Sequence, residues 1–122
     1  MSTISLQINV EETNYEAPTE WRMLGAKGKS DHVIKLCARH NIKPERILEV
    51  GAGDGAILRC LADSGFCRQM HALEISQSGV DVILKQNIPG LMSCQTFDGY
   101  TLPFEDKFFV KWCRFLRQVY KQ

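Results

Sequence analysis

The sequence predicts an α/β fold: a partial parallel sheet of order β-α-β-α-β with flanking helices, followed by a C-terminal amphipathic helix. Three observations predict it. Ile47-Leu48-Glu49-Val50 runs as an apolar strand straight into Gly51-Ala52-Gly53-Asp54-Gly55, a turn with glycine at alternate positions, and then into a helical stripe. Two further apolar runs, Met70 to Ile75 and Leu91 to Phe97, lead into acids, the first through Glu74 and the second at Asp98-Gly99. Between these runs the apolar residues recur at helical spacing instead of alternating. Strand and helix in alternation imply parallel strands joined by right-handed crossovers.

The elements can be justified in chain order. Ser5 to Val10 alternates polar and apolar residues, the period of a half-buried strand or equally a loose terminus. Glu11 to Glu20, with Pro18, reads as loop, and Trp21 to Gly25 as a short helical turn ending at glycine. Tyr15 or Trp21 is then either a lid folded over a ligand or a hydrophobic anchor for the N-terminus. Ser30 is the expected N-cap of a helix from Asp31 to about His40, with Val33, Ile34, Cys37 and Ala38 on its apolar face. Asn41 and Pro44 stop that helix, and Arg46 to Val50 follows as a strand.

After the glycine turn, Asp54 to Ser64 is helical, with Ile57, Leu58, Leu61 and Ala62 as its buried stripe and Gly65 at its end. Ser76 or Ser78 caps the next helix, which carries Val80, Val82, Ile83 and Leu84 and ends at Asn87, Pro89 and Gly90. Tyr100 to Asp106 is a loop whose path Pro103 restricts. From Lys107 to Lys121 the residues Phe108, Trp112, Phe115, Leu116 and Val119 share one helical face and basic residues the other. The expected division is an N-terminal arm (1–29), a ligand-binding core (30–106) and a basic amphipathic tail (107–122) within one domain.

Composition excludes several functions. Apolar content of 44% and charged content of 24% are ordinary for a globular chain, and a net charge of +1 gives no field to attract nucleic acid or a membrane surface. No run approaches the roughly 18 apolar residues of a membrane span. The first residues lack the basic and apolar regions of a secretory signal. The cysteines at 37, 60, 67, 94 and 113 are odd in number and have no C-x-x-C pair, and His32, His40 and His71 show no metal spacing. We therefore expect no disulfide framework, no metal and a cytoplasmic, reducing setting.

What the core binds follows from where its strands end. In an open parallel sheet the carboxyl ends line one crevice. Glu49 with the glycine turn, Glu74, and Asp98-Gly99 should therefore converge. Glu74 lies 23 residues after Gly51, which suits a carboxylate accepting from two ribose hydroxyls. Asp98 would reach further along a nucleoside, to an exocyclic amine. Each acid also has a structural role open to it: a strand-end ion pair for Glu49 or Glu74, a helix cap for Asp54, a simple turn for Asp98. The helix N-terminus at the turn would offer free N–H groups, and Gly51 to Ala56 fits a relaxed G-x-G-x-x-[GA] pattern, so an NAD-binding dinucleotide domain must be weighed. Charge argues against it. Glu49 and Asp54 would repel a pyrophosphate, and no base follows in the chain before Arg59.

At this point the residues resemble the class I S-adenosylmethionine-dependent methyltransferase family. Glu49-Val50-Gly51-Ala52-Gly53-Asp54-Gly55 resembles its first motif, E/D-x-G-x-G-x-G. Leu73-Glu74-Ile75-Ser76 resembles the acidic end of its second strand, and Phe97-Asp98-Gly99-Tyr100-Thr101-Leu102-Pro103-Phe104-Glu105-Asp106 its D-[AG]-x-x-L-P-F-x-D segment. The match spans roughly residues 21–108. The resemblance implies a Rossmann-like methyltransferase fold and S-adenosyl-L-methionine as cofactor. It implies that Gly51, Gly53 and Gly55 pass beneath the methionine part with Glu49 near its amino group, that Glu74 holds the ribose, that Ile75 packs on adenine, and that Asp98 accepts from the adenine amine beside the Gly99 N–H. The implied activity is methyl transfer to a small-molecule acceptor, with no catalytic residue identified.

The end of the chain departs from the family pattern. Phe109 stands where an acid is expected, and 13 residues follow it. The expectation is a member truncated after the third strand. A cofactor-binding or interaction module without turnover is the alternative function. Sheet edges left open would be covered by the tail helix, by a second copy or by a partner protein, and the tail could instead bind an anionic lipid surface.

Overall fold

The structure is a computed structural model, and it describes residues 15–105. The alternating segment at Ser5–Val10, the amphipathic tail and Phe109 lie outside the described residues. Within them the chain forms α1 (Glu20–Arg39), β1 (Arg46–Val50), α2 (Ala56–Ser64), β2 (Gln69–Glu74), α3 (Gln77–Lys85) and β3 (Leu91–Thr96). The sheet is three-stranded in the order β1-β2-β3, and both pairings are parallel. The architecture is thus the Rossmann-like β-α-β-α-β sheet that the sequence predicts.

The first helix differs from expectation. The sequence predicts a short turn ending at Gly25 and a separate helix capped by Ser30. Instead a single 20-residue helix starts at Thr19, whose hydroxyl accepts the Arg22 N–H, and runs through both glycines. Ser30 is not a cap: it is buried, and its hydroxyl donates to the Lys27 carbonyl at 2.9 Å. The physical reason is the stripe of Ala26, Ser30, Val33 and Cys37, which continues at helical spacing and is buried along its length. Interior glycines cost about 1 kcal/mol each relative to alanine, and docking of this stripe overrides that.

The remaining elements follow the predicted spacing within a residue or two. Helix α2 begins at Ala56, not at Asp54, and buries Ile57, Leu58 and Leu61. Full burial of Leu58 or Leu61 contributes roughly 1.5–3 kcal/mol each. Gly65 closes the helix in the left-handed conformation, and Asn87 and Gly90 have positive φ at the turn after α3. Strand β2 is almost wholly buried, and Ile47, Leu48, Met70, Ala72 and Leu73 are fully enclosed. None of the described helices is long and apolar enough to cross a membrane.

Register sets which residues share a face. Glu49 pairs with Ala72, and Ala72 with Cys94, so these three form one row across the sheet. Glu74, two residues beyond Ala72, lies on the same face. His71 points to the opposite face, where its Nδ1 meets Ser93 Oγ at 2.7 Å and Phe104 meets its ring edge-on, centroids 5.6 Å apart. The Pro103-Phe104 part of the third motif is therefore an anchor that ties the post-β3 loop to the sheet.

His71 makes stability depend on pH. Burial, and secondarily the Arg46 charge, hold its pKa below the usual histidine value. As pH falls through about 6.5 the unfolded chain takes up this proton before the folded one does. This contribution is therefore intact above that value and declines as pH falls toward the folded pKa. Urea midpoints should drop between about pH 7.5 and pH 5.5, and the drop should be smaller in His71→Gln. An identical drop in the variant would remove His71 as its source.

Candidate functional site

The site is built on the turn between β1 and α2. Gly51, Gly53 and Gly55 have φ of +76°, +58° and +77°, so the turn alternates through a conformation that residues with a Cβ rarely adopt. The three glycines are not equivalent. A Cβ on Gly51 would meet nothing within 4 Å, so the backbone there is open to a ligand. A Cβ on Gly55 would lie 3.0 Å from Ile83 Cγ1, so Gly55 serves the approach of α3. A Cβ on Gly53 would lie 3.4 Å from Tyr15 Cε1.

Most of the N–H groups expected to be free at this turn have acceptors within the protein. Gly51 and Ala52 both donate to the Leu73 carbonyl, at 2.8 and 3.1 Å, and Gly55 donates to the Ala52 carbonyl at 2.9 Å. Gly53 donates to Glu74 Oε1 at 3.1 Å, and Ala56 to Asp54 Oδ1 at 3.1 Å. Five amides of this stretch, those of Gly51, Ala52, Gly53, Gly55 and Ala56, are thus spent on protein acceptors.

The charge argument also changes. Arg22, from the first turn of α1, places Nε 3.0 Å from Asp54 Oδ2 and Nη2 3.2 Å from Oδ1. The turn thus has a basic partner, contributed from 32 positions earlier in the chain. Asp54 is an ion-paired helix-start residue and adds little net repulsion to the crevice. Sequence reasoning missed Arg22 because it counted bases only along the turn itself. What disfavours a pyrophosphate here is that most amides of the turn already have acceptors within the protein.

Glu74 is the most constrained of the acids. It is buried, its Oε1 accepts from Gly53 and its Oε2 accepts from Ser76 at 2.6 Å. Each carboxylate oxygen retains a second acceptor site. Glu49 is fully enclosed in the row with Ala72 and Cys94. The Cys94 thiol registers both carboxylates: burial first, then the charges of Glu74 and Glu49, push its pKa up to about 11. The ends of β1 and β2 therefore do bring their acids onto one sheet face.

The third acid sits differently. Asp98 is exposed, and its Oδ1 accepts from the N–H groups of Tyr100 and Thr101, both at 2.7 Å. These bonds, Thr101 first, hold its carboxyl below the usual range, so it is ionised at neutral pH. Gly99 follows with φ of +92°, and Ile75 is half-buried just beyond β2. Asp98-Gly99 is thus a turn, as one of its two predicted roles requires, and the turn holds the carboxylate ionised.

Two further residues belong to this region and carried no signal in the sequence. Gly79 lies within α3, where glycine reads as a simple weakness. A Cβ there would lie 2.7 Å from Glu74 Cγ and 3.0 Å from both the Gly53 carbonyl oxygen and Tyr15 Cδ2. Gln86 donates to the Asp54 carbonyl at 2.7 Å and ties α3 to the turn. Of the two aromatics considered as a lid, Trp21 is 82% exposed, whereas Tyr15 reaches the glycine turn. Among the described residues no group of His, Cys, Asp and Glu is arranged to hold a metal ion, and Cys37, Cys60, Cys67 and Cys94 are free thiols.

Comparison with known proteins gives a consistent family. A family model described as a methyltransferase domain matches residues 48–116. Among solved structures, the putative methyltransferase in complex with the Haloferax volcanii Trm112 methyltransferase activator shares 25% identity at a TM-score of 0.53 over 74% of this chain and 41% of its own. The glycopeptide N-methyltransferase MtfA, complexed with sinefungin, shares 20% identity at a TM-score of 0.50 over 66% of this chain and 34% of its own. The YcgJ protein of Bacillus subtilis shares 19% identity at a TM-score of 0.50, over 65% and 35% respectively. The aligned part thus spans well under half of each of these chains. No curated protein sequence matches.

Proposed function

The chain belongs to the methyltransferase domain family, and from that premise we propose that it binds S-adenosyl-L-methionine in the crevice at the carboxyl ends of its strands and transfers a methyl group to a small-molecule acceptor. The observation that carries this reading is the glycine turn itself. Most of its amides have acceptors within the protein, its surface at Gly51 is open, and its flank is the fixed carboxylate of Glu74. Such a turn can pass beneath an uncharged or cationic chain but has few amides left to donate to a pyrophosphate.

In this reading the open backbone at Gly51 and the adjoining Gly53 and Gly55 underlie the methionine part, with Glu49 toward its amino group. Glu74 accepts from the ribose hydroxyls on the lone pairs that Gly53 and Ser76 leave. Ile75 packs against the adenine, and ionised Asp98 accepts from its amine beside the Gly99 N–H. The cofactor, when bound, supplies a methyl group on a sulfonium centre to an attacking nucleophile. The described residues bind and orient, which is the larger share of catalysis in a displacement of this kind.

A second reading is a cofactor-binding module without turnover. It draws on the described residues, which supply a binding crevice, while the aligned part spans 41% and 34% of two of the chains above. A protein partner or a second copy would then contribute at the sheet edges, where β3 carries exposed Met92, Gln95 and Thr96. The free thiols are consistent with a cytoplasmic setting.

Calorimetry with S-adenosylmethionine, S-adenosylhomocysteine and NAD tests the binding claim. We expect the first two to bind and NAD to be rejected; preference for NAD would overturn it. Transfer of a labelled methyl group by the purified chain would decide against the module without turnover.

A further inference from the structure

The segment ahead of α1 is fastened to the candidate site at two points. Arg22 holds Asp54 on one side of the glycine turn. On the other, the Tyr15 N–H donates to Ser78 Oγ at 3.3 Å across 63 residues of sequence. Ser78 Oγ lies 2.8 Å from Ser76 Oγ, and the Ser76 N–H donates to Glu74. A chain of hydrogen bonds thus links Tyr15 to the carboxylate expected to hold the ribose.

The ring of Tyr15 occupies the space that two glycines leave bare. Side chains at Gly53 or Gly79 would touch it, at 3.4 and 3.0 Å, and the Gly79 position also abuts Glu74. The ring is therefore a neighbour of Glu74 across a gap less than one residue wide. Its hydroxyl senses the site as well. Burial raises its pKa first, followed by the charges of Glu74 and Asp54, while Arg22 opposes them.

From this geometry we propose that Tyr15 is a ligand-binding residue, the aromatic wall that closes the site over Gly53 and lies against the nucleoside held by Glu74. The proposal rests on the cofactor reading above. A ligand with hydroxyls on Glu74 has the Gly53 backbone beneath it and the Tyr15 ring beside it. The wall excludes water from the carboxylate and slows escape of the ligand. The ring supplies the contact, whereas the latch to Ser78 uses the backbone N–H and needs no particular side chain. Trp21, the other aromatic of this segment, has no such role, since it projects into solvent.

The experiment measures S-adenosylhomocysteine affinity and dissociation rate for the full chain and for Tyr15→Ala, Tyr15→Phe and Ser78→Ala, each checked by circular dichroism. Tyr15→Ala should weaken binding about tenfold or more, mainly through faster dissociation. Tyr15→Phe should stay within about threefold of the parent, because it keeps the ring. Ser78→Ala should fall between them. In the unmodified chain, bound S-adenosylhomocysteine should protect Tyr15 from nitration by tetranitromethane, read by peptide mass spectrometry. That arm stands even where a variant fails to fold. Unchanged or tighter binding by Tyr15→Ala, or undiminished nitration in a chain that demonstrably binds, would overturn the wall. Absence of binding by the parent chain would instead overturn the cofactor reading.

Discussion

Glu74→Ala is expected to lower stability and cofactor affinity together, by separate routes. The carboxylate accepts from Gly53 and Ser76, so its removal leaves two backbone donors in a largely buried region without their partner. At roughly 1–3 kcal/mol for each unsatisfied group, a loss of about 2–6 kcal/mol should appear in urea unfolding. The same change removes the ribose acceptor. Charge-assisted hydrogen bonds of this type make a loss of about a hundredfold in S-adenosylhomocysteine affinity the expected calorimetric result. Glu74→Gln separates the routes. It keeps the volume but only one acceptor oxygen, and its NH2 faces the other backbone donor, so the stability should return only in part, while affinity recovers less because the charge is gone. A folded Glu74→Ala protein with unimpaired affinity would refute the ribose role and leave the carboxylate as a structural tie between two turns.

Gly79→Ala is the second large effect, and its sign separates a local from a tertiary account. In an isolated helix, alanine in place of glycine would stabilise by about 1 kcal/mol. Here the new Cβ would sit 2.7 Å from Glu74 Cγ and 3.0 Å from the Gly53 carbonyl oxygen. The first neighbour can rotate only by abandoning its two backbone donors, and the second is main chain. Overpacking of this kind typically costs about 1–3 kcal/mol, so a net loss of stability should be seen in urea unfolding. The displacement falls on Glu74, Gly53 and Tyr15, so affinity should fall even where the fold survives. A Gly79→Ala protein that is more stable and binds equally well would show that α3 stands farther from the turn than this geometry requires.

These two expectations locate what was readable in advance. The three strands, the glycine turn and helices α2 and α3 were legible because each rests on short-range signals: apolar runs, helical spacing, and glycine or asparagine at the stops. The acids were legible for the same reason, since strand ends announce themselves. Helix α1 was misdivided. Ser30 has the chemistry of a cap, and nothing local distinguishes a capping serine from one whose hydroxyl turns back to Lys27 inside a buried stripe. The turn's amides were misread because their acceptors, Leu73 and Glu74, come from the neighbouring strand.

The sequence by itself determined the order of elements, the parallel sheet and the set of acids and glycines at its carboxyl edge, because spacing along the chain specifies all of them. Only the tertiary structure decided what those residues meet. Arg22 reaches Asp54 across 32 positions and Tyr15 reaches Ser78 across 63. Gly79 must be glycine because two other segments occupy the volume its side chain would need. The physical reason is the same throughout. Propensity and period act over a few residues, whereas hydrogen-bond partners and free volume are set by whichever distant segments the fold brings alongside.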